Sequence, residues 1–153
     1  MKKRKRGRTP RIVGTVALHD TGRAAQVYCA WKVNSLLHEV MLTEELIKLP
    51  IPLNLWLRGG KTDRRLRPDA ELPKLFVEFD MGTERKQQIQ KQVKAYHQSQ
   101  RTVLWIVPSV RQIDWITEVA NKATTLVMLH GSSEVFDLYG QSKPVDKVCG
   151  KYV

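Results

Sequence analysis

The chain has 153 residues, of which 42% are hydrophobic and 27% are charged, and this is the size and composition of one globular domain. Its formal net charge is +11 and its apolar runs are far too short to cross a bilayer, so the sequence excludes a membrane-spanning protein and favours a polyanionic partner. The cysteines Cys29 and Cys149 have neither metal-ligand spacing nor the density of a disulfide framework, which indicates a reducing, intracellular compartment.

Positive charge is concentrated at the start of the chain. The first eleven residues, MKKRKRGRTPR, contain seven of the 26 basic side chains: Lys2, Lys3, Arg4, Lys5, Arg6, Arg8 and Arg11. The remainder holds 19 basic against 15 acidic side chains, a net charge of +4. Such a block predicts a disordered arm over residues 1–11 that neutralises phosphates and adds salt-dependent affinity for nucleic acid. A solubilising segment or a nuclear-import signal is the alternative interpretation of KKRKR.

In chain order, residues 11–18 (RIVGTVAL) are predicted to be extended, and a helix is predicted from a cap at Asp20 or Thr21 to about His38. Residues 39–49 are ambiguous, because VMLTEELIKL is compatible with a strand followed by a turn of helix. After the two prolines of LPIPL, LWLRGGKTDRRLRP is typical of a strand, a Gly-Gly turn and a second strand.

Strands and helices alternate in the second half of the chain. Residues 66–72 and 75–80 are alternating runs on either side of Pro73-Lys74, which predicts a β-hairpin. The later predicted elements are a helix from Thr83 to about Gln98, the buried strand TVLWIVPS, an amphipathic helix from Val110 to Lys122, the buried strand TLVMLH and a last edge element, EVFDLYG. This order predicts an α/β domain with a mixed sheet over residues 12–153.

Five acidic side chains fall within RPDAELPKLFVEFDMGTE, the segment that contains the hairpin. Pro73 fixes φ near −65° and suits the second position of a type I turn over Leu72–Leu75. With that turn, Asp69 lies opposite Glu78, with the two Cβ atoms roughly 5 Å apart. Period-two alternation then puts Asp80 on the same face of the hairpin.

Carboxylates that converge in this way repel one another unless protons or a cation lie between them. Oxygen ligands alone favour Mg²⁺, Mn²⁺ or Ca²⁺. The predicted helix after the hairpin adds polar groups, because Gln92 and Tyr96 are four residues apart on the side that Ile89 and Val93 turn towards the sheet. An amide and a phenol at that place can orient a metal-bound water or a phosphate.

A plainer interpretation is also open. Asp69, Glu78 and Asp80 can form the solvated polar face of an ordinary antiparallel hairpin. Glu71 and Glu84 are assigned to this plain role, since a negative charge at the position of Glu84 suits the first turn of a helix.

The same residues carry a family resemblance. Asp69 preceded by Pro68, with Glu78 on the next strand, resembles the PD-(D/E)xK nucleases, and QVKAY looks like the Q-h-x-x-Y signature of their exonuclease-like branch. More closely, LRPDAEL, FVEFDMGTE and QVKAY are together similar to the replication-relaxation family of plasmids, phages and mobile elements. LHDTGRAAQVYCAW and TVLWIVPS resemble the first helix and the post-helix strand of that family.

The resemblance implies a restriction-endonuclease-like fold, with a mixed central sheet flanked by helices. It implies that Asp69 and Glu78 bind Mg²⁺ or Mn²⁺, and that Gln92 and Tyr96 support them. Asp80 stands where the nuclease pattern usually has lysine; we expect it to bind a second ion or a water. Lys86 is the nearest replacement for the missing lysine.

The function expected from this resemblance is that of a cytoplasmic, metal-dependent DNA endonuclease or nickase, encoded by a prokaryote, phage or plasmid. Its partner would be DNA, with phosphates held by the arm and by Arg64, Arg65 and Arg67; no membrane and no small-molecule substrate is expected. A homodimer is left open. The alternatives are a catalytically inactive DNA-binding or assembly protein on the same fold, and a binding protein whose function lies in the arm.

Overall fold

The computed structural model describes residues 15–17, 24–26, 36–60, 65–132, 134–144, 147–148 and 150. The chain divides into two compact units, Met1–Glu39 and Val40–Val153.

The described part of the first unit contains two short antiparallel strands, β1 (Thr15–Ala17) and β2 (Ala24–Gln26). Strand β1 confirms the predicted extended segment at Thr15–Ala17, the part of residues 11–18 that the structure describes. The predicted helix from residue 20 or 21 to residue 38 is wrong at Ala24–Gln26, which pairs with β1 as a strand, whereas residues 27–35 lie outside the described residues. Alanine and glutamine favour a helix locally, and here pairing with a neighbouring strand overrides that weak preference. The proposed caps, Asp20 and Thr21, lie outside the described residues.

Helix α1 (Leu36–Lys48) replaces the strand and turn considered for residues 39–49. Within the second unit it buries Leu42 and Leu46, which are four residues apart and therefore lie on one face. Lys48 in its last turn suits the helix dipole. The segment is ambiguous in sequence because its Val, Met, Leu and Thr residues occur in both helices and buried strands.

The second unit is built on a mixed sheet in which the described residues form seven strands in the order β3–β4–β5–β6–β7–β8–β9. The strands are β3 (Leu57–Arg58), β4 (Ala70–Leu72), β5 (Leu75–Phe79), β6 (Thr102–Val107), β7 (Thr125–Leu129), β8 (Glu134–Asp137) and β9 (Ser142–Pro144). β5, β6 and β7 are parallel, and the other neighbours are antiparallel. The predicted α/β class with a mixed sheet is confirmed. EVFDLYG is not the edge of the sheet, because β9 pairs along the outer side of β8.

Two helices, α2 (Lys86–Ala95) and α3 (Val110–Thr117), connect the parallel strands, and a 3-10 turn over Tyr96–Gln98 follows α2. Helix α2 begins later than the cap predicted at Thr83, because the Gln88 side chain accepts the backbone N–H of Arg85 at 3.0 Å and so caps the helix there. Helix α3 ends before the predicted Lys122.

The sheet separates two apolar cores. The core on one face contains α1 and the side chains of Leu75, Val77 and Phe79 of β5. The other core contains α2 and α3 together with Phe76. The predicted alternation of β5 is therefore confirmed, and it turns Glu78 towards the helix face that carries α2. Within the described residues, no helix is both long enough and apolar enough to cross a membrane.

Candidate functional site

Strands β4 and β5 pair in the register predicted from the turn at Pro73. Ala70 lies opposite Val77, and the two strands are joined by a two-residue turn. One residue further along, the same register sets Asp69 against Glu78. The turn geometry was therefore sufficient to predict this pairing from sequence.

Asp69 and Glu78 form an interacting carboxylate pair. Burial raises the pKa of Glu78 well above its ordinary value, and the negative charge of Asp69 raises it further. The backbone N–H of Phe79 donates a hydrogen bond of 2.9 Å to Oδ2 of Asp69, which fixes this carboxylate against β5. The pair has the electrostatics of a site that gains stability from a shared proton or from a cation.

Tyr96 supports Glu78 from the helix face of the sheet. Its hydroxyl donates a hydrogen bond to Oε1 of Glu78. The buried Tyr96 ring lies 5.7 Å from the Phe76 ring and 6.1 Å, edge to face, from the Trp105 ring. The aromatic contacts hold the phenol in place, so the predicted inward orientation of Tyr96 is confirmed.

Gln92 lies at the rim of the pair and not on the sheet-facing side that was predicted for it, and it contacts a third carboxylate, Glu84. It is exposed, and its Nε2 donates a hydrogen bond of 3.2 Å to Oε1 of Glu84. The charge of Glu84 also raises the pKa of Glu78, after the larger effects of burial and Asp69. From the sequence, Glu84 was expected only to interact favourably with the dipole of the following helix. This effect on Glu78 was not predicted, because the turn at Gly82, with a φ of 84°, brings the chain back towards the strand end.

Asp80 is buried at the end of β5, where one of its two carboxylate oxygens is engaged by the backbone, and its role as a metal ligand stays a prediction. It is 6% exposed, and its Oδ1 accepts the backbone N–H of Gly82 at 2.8 Å. Its own N–H donates to the carbonyl of Ile106 at 3.0 Å. Asp80 therefore closes the turn after β5. Among the described residues, no three His, Cys, Asp or Glu side chains are grouped as metal ligands, so the structure offers a carboxylate pair and not the predicted triad.

The Lys86 ammonium is bound by a carboxylate outside the Asp69–Glu78 pair. It contacts Glu118 of α3 at 2.7 and 2.8 Å, and Gln90 donates to the same carboxylate at 2.8 Å. These contacts join α2 to α3. They do not support the role of replacement lysine that the sequence suggested.

Glu71 is the clearest departure from the plain hairpin interpretation. It is fully buried, whereas a solvated polar face was predicted. Arg101 covers it, with Nη1 at 3.6 Å from Oε2 of Glu71 and the guanidinium 4.6 Å above the Phe76 ring. The alternation that pairs Asp69 with Glu78 also puts Glu71 on that face, but the segment that covers it comes from thirty residues later in the chain.

The predicted phosphate-binding residues are only partly described. The seven basic side chains of the arm and Arg64 lie outside the described residues. Arg65 and Arg67 are exposed. Arg65 contributes to a cleft on the α2 side of the sheet, together with Arg101.

Comparison with known proteins identifies a family. A family model described as replication-relaxation matches residues 13–105, which include β4, β5, α2 and most of β6. This description suggests a role in the replication or relaxation of plasmid or mobile-element DNA, and a prokaryotic or mobile-element origin. No curated protein and no solved structure matches the chain. Because the match spans well over half of the 153 residues, the chain belongs to the replication-relaxation family.

Proposed function

We propose that this protein is a metal-dependent DNA endonuclease or nickase of the PD-(D/E)xK class that acts in the replication or processing of plasmid or phage DNA. The observation that carries the proposal is the pair of carboxylates, Asp69 and Glu78, which two neighbouring strands hold together beneath the Tyr96 hydroxyl. A mixed sheet flanked by helices is compatible with the restriction-endonuclease-like fold of that class.

The donor set suits Mg²⁺ or Mn²⁺. Both groups are oxygen ligands, and Mg²⁺ is commonly bound by one or two protein carboxylates, with waters and substrate phosphates completing its coordination. A cation between Asp69 and Glu78 would relieve the repulsion that, together with burial, raises the pKa of Glu78. When bound, the ion would neutralise charge on the scissile phosphate and lower the pKa of a coordinated water.

The protein's own groups would orient this chemistry. Tyr96 fixes one oxygen of Glu78, and the N–H of Phe79 fixes one oxygen of Asp69, so both carboxylates are positioned before substrate arrives. Glu84 and Gln92 lie at the rim, where a carboxylate can take up a proton and an amide can donate to a phosphate oxygen.

Nicking of supercoiled plasmid DNA in Mg²⁺ or Mn²⁺ tests the proposal. We expect the full chain to produce open circles, and expect Asp69→Asn and Glu78→Gln to slow nicking by about 100-fold or more. Asp114→Asn, at an exposed position of α3, is the matched control and should nick at the wild-type rate. Nicking that survives Asp69→Asn would identify a contaminant and refute the assignment, as would the absence of nicking by the wild type.

A catalytically inactive DNA-binding or assembly protein on the same fold is the second candidate. It is favoured by two observations, Asp80 at the usual position of the motif lysine and Lys86 engaged by Glu118. Its expected result is a DNA mobility shift in EDTA that is equal for wild type and Asp69→Asn, with no nicking in any divalent metal.

A further inference from the structure

A cleft of about 450 Å³ opens on the face of the sheet that carries α2. Its walls include Arg65, Leu66, Phe76, Gln98, Gln100 and Arg101. The volume falls within the range of roughly 300–1,000 Å³ that is usual for sites of small molecules or single groups. Arg65 adds positive charge to this concave wall, and Arg101, whose charge the buried Glu71 partly offsets, adds guanidinium donors that an anion can accept from.

Arg101 is ordered by contacts on several sides. The fully buried Glu71 is 3.6 Å from its Nη1, the Phe76 ring lies 4.6 Å from its guanidinium carbon, and its backbone N–H donates to Oγ of Ser99 at 3.2 Å. Even so, 31% of the Arg101 side chain is exposed. A guanidinium held in this way loses little conformational entropy when it binds a phosphate, and its planar fork matches phosphate oxygens.

The cleft and the carboxylate pair lie on the same face of β5, where the buried Tyr96 contacts both Phe76 of the cleft and Glu78 of the pair. Phe76 and Glu78 are two residues apart on one face of β5, a separation of roughly 6.6 Å along the strand. Tyr96 joins the two places, since its ring is 5.7 Å from Phe76 and its hydroxyl binds Glu78. Successive phosphates of one DNA strand advance about 3.4 Å along the duplex axis. A phosphate in the cleft would therefore be one or two nucleotides from a phosphate at Glu78.

We propose that the Arg65–Arg101 cleft is a subsite that binds a phosphate-bearing nucleotide of a DNA strand, one or two positions from the bond presented to Asp69 and Glu78. The assignment rests on the proposed function for the identity of the polymer. Arg65 and Arg101 bind the phosphate, and the amides of Gln98 and Gln100 line the wall beside the sugar or base edge. It adds Arg101 to the arginines expected from sequence to contact DNA.

Fluorescence anisotropy of short labelled single-stranded and duplex DNA, titrated with the full chain in EDTA at several salt concentrations, tests the subsite without requiring cleavage. Arg65→Ala should weaken binding about five- to tenfold and reduce the magnitude of the slope of log K against log salt by about 1. Arg101→Lys should weaken binding by a similar factor with little change in slope, because the charge remains while the planar fork is lost.

Two matched controls distinguish the effect of the cleft residues on DNA affinity from the effect of changing any exposed positive charge. Lys91→Ala removes one exposed charge from α2, and Arg111→Lys makes the same exchange at a guanidinium 5.1 Å from the Trp115 ring. Both controls should bind DNA within about twofold of wild type. Arg65 is exposed, so Arg65→Ala keeps the test decisive even if Arg101→Lys unfolds the chain.

Equal DNA affinity for the cleft variants and the controls overturns the proposal. Thermal protection by inorganic phosphate that disappears in Arg65→Ala, with DNA affinity unchanged, also overturns it, because the cleft would then take a free anion. If the wild type nicks DNA and Arg65→Ala binds DNA with unaltered affinity, the subsite proposal is refuted and the nuclease proposal stands. If Arg65→Ala binds DNA more weakly but the wild type does not nick, the nuclease proposal is refuted and the cleft remains a DNA-binding site.

Discussion

Replacing Glu78 by glutamine should stabilise the protein at alkaline pH in the absence of divalent metal. Glutamine keeps the shape of the side chain and an oxygen that can accept from Tyr96, but it removes the charge that faces Asp69. Burial first, and Asp69 second, raise the pKa of Glu78 above the value it has in the unfolded chain. The native state therefore binds this proton more tightly than the unfolded state does. Stability is highest below the unfolded pKa and is lost as the pH rises through the folded one.

The cross-strand geometry gives the part of the magnitude that comes from the Asp69 charge; release of the buried charge adds to it, so the value below is a lower bound. Two unit charges about 5 Å apart interact by about 3 kcal/mol at an effective dielectric constant of about 20. Loss of the charge-assisted character of the Tyr96 hydrogen bond offsets about 1 kcal/mol of that gain. The net increase in the free energy of unfolding is then about 2 kcal/mol, which corresponds to a rise in Tm of about 4–8 °C for a chain of this size.

Urea and thermal unfolding of wild type and Glu78→Gln at pH 5 and pH 8, each with EDTA or Mg²⁺, measure the effect. The difference should be larger at pH 8 in EDTA than at pH 5, because the raised pKa of Glu78 favours its protonated form as the pH falls. Mg²⁺ should stabilise the wild type more than the variant. A variant that is less stable than wild type at both pH values, or a difference that does not change with pH, would show that the pair is not electrostatically strained.

Three further predictions concern the surroundings of the pair. Tyr96→Phe removes the hydrogen bond that lowers the pKa of Glu78, whereas burial and Asp69 raise it. In a pH–rate profile, the pH at which activity rises should therefore shift upward. The Tm should fall by only a few degrees, because one hydrogen bond is lost. Arg101→Ala removes a cation from its fully buried carboxylate partner, Glu71, and should cost about 3 kcal/mol in urea unfolding. Leu46→Ala should lower the free energy of unfolding by about 2–5 kcal/mol, because the Leu46 side chain is 0% exposed. Ile47→Ala should lower it by less than about 1 kcal/mol, because Ile47 is 48% exposed. Equal losses would contradict the packing of this face of α1 in the core.

The hairpin was predictable in detail because its determinants are local. Pro73 selects the turn, the turn sets the register, and period-two alternation assigns each side chain to a face. The same reasoning predicted Tyr96 correctly, since it continues the buried stripe of Ile89 and Val93, but it misplaced Gln92, which is exposed.

Long-range contacts explain what the sequence did not predict. Whether Glu71 meets solvent depends on Arg101, which enters from the end of the next helical connection. The strand at Ala24–Gln26 depends on its partner β1, and residues of this type give no strong local preference. Asp80 follows the alternation pattern, but the strand ends at Phe79, and one oxygen of its carboxylate accepts the backbone N–H of Gly82 in the following turn, a contact that the pattern alone did not predict.

The two-residue turn at Pro73 also has a consequence for how the chain folds. It makes β4–β5 the most local contact of the central sheet, whereas β5, β6 and β7 join only after helical crossovers are complete. At a pH above the pKa of Glu78, closing this hairpin brings two negative charges together early in folding. At that stage the Tyr96 hydroxyl does not yet donate its hydrogen bond to Glu78. Refolding measured by stopped-flow fluorescence should therefore accelerate in mild acid or with millimolar Mg²⁺, and Glu78→Gln should fold at one rate under all of these conditions.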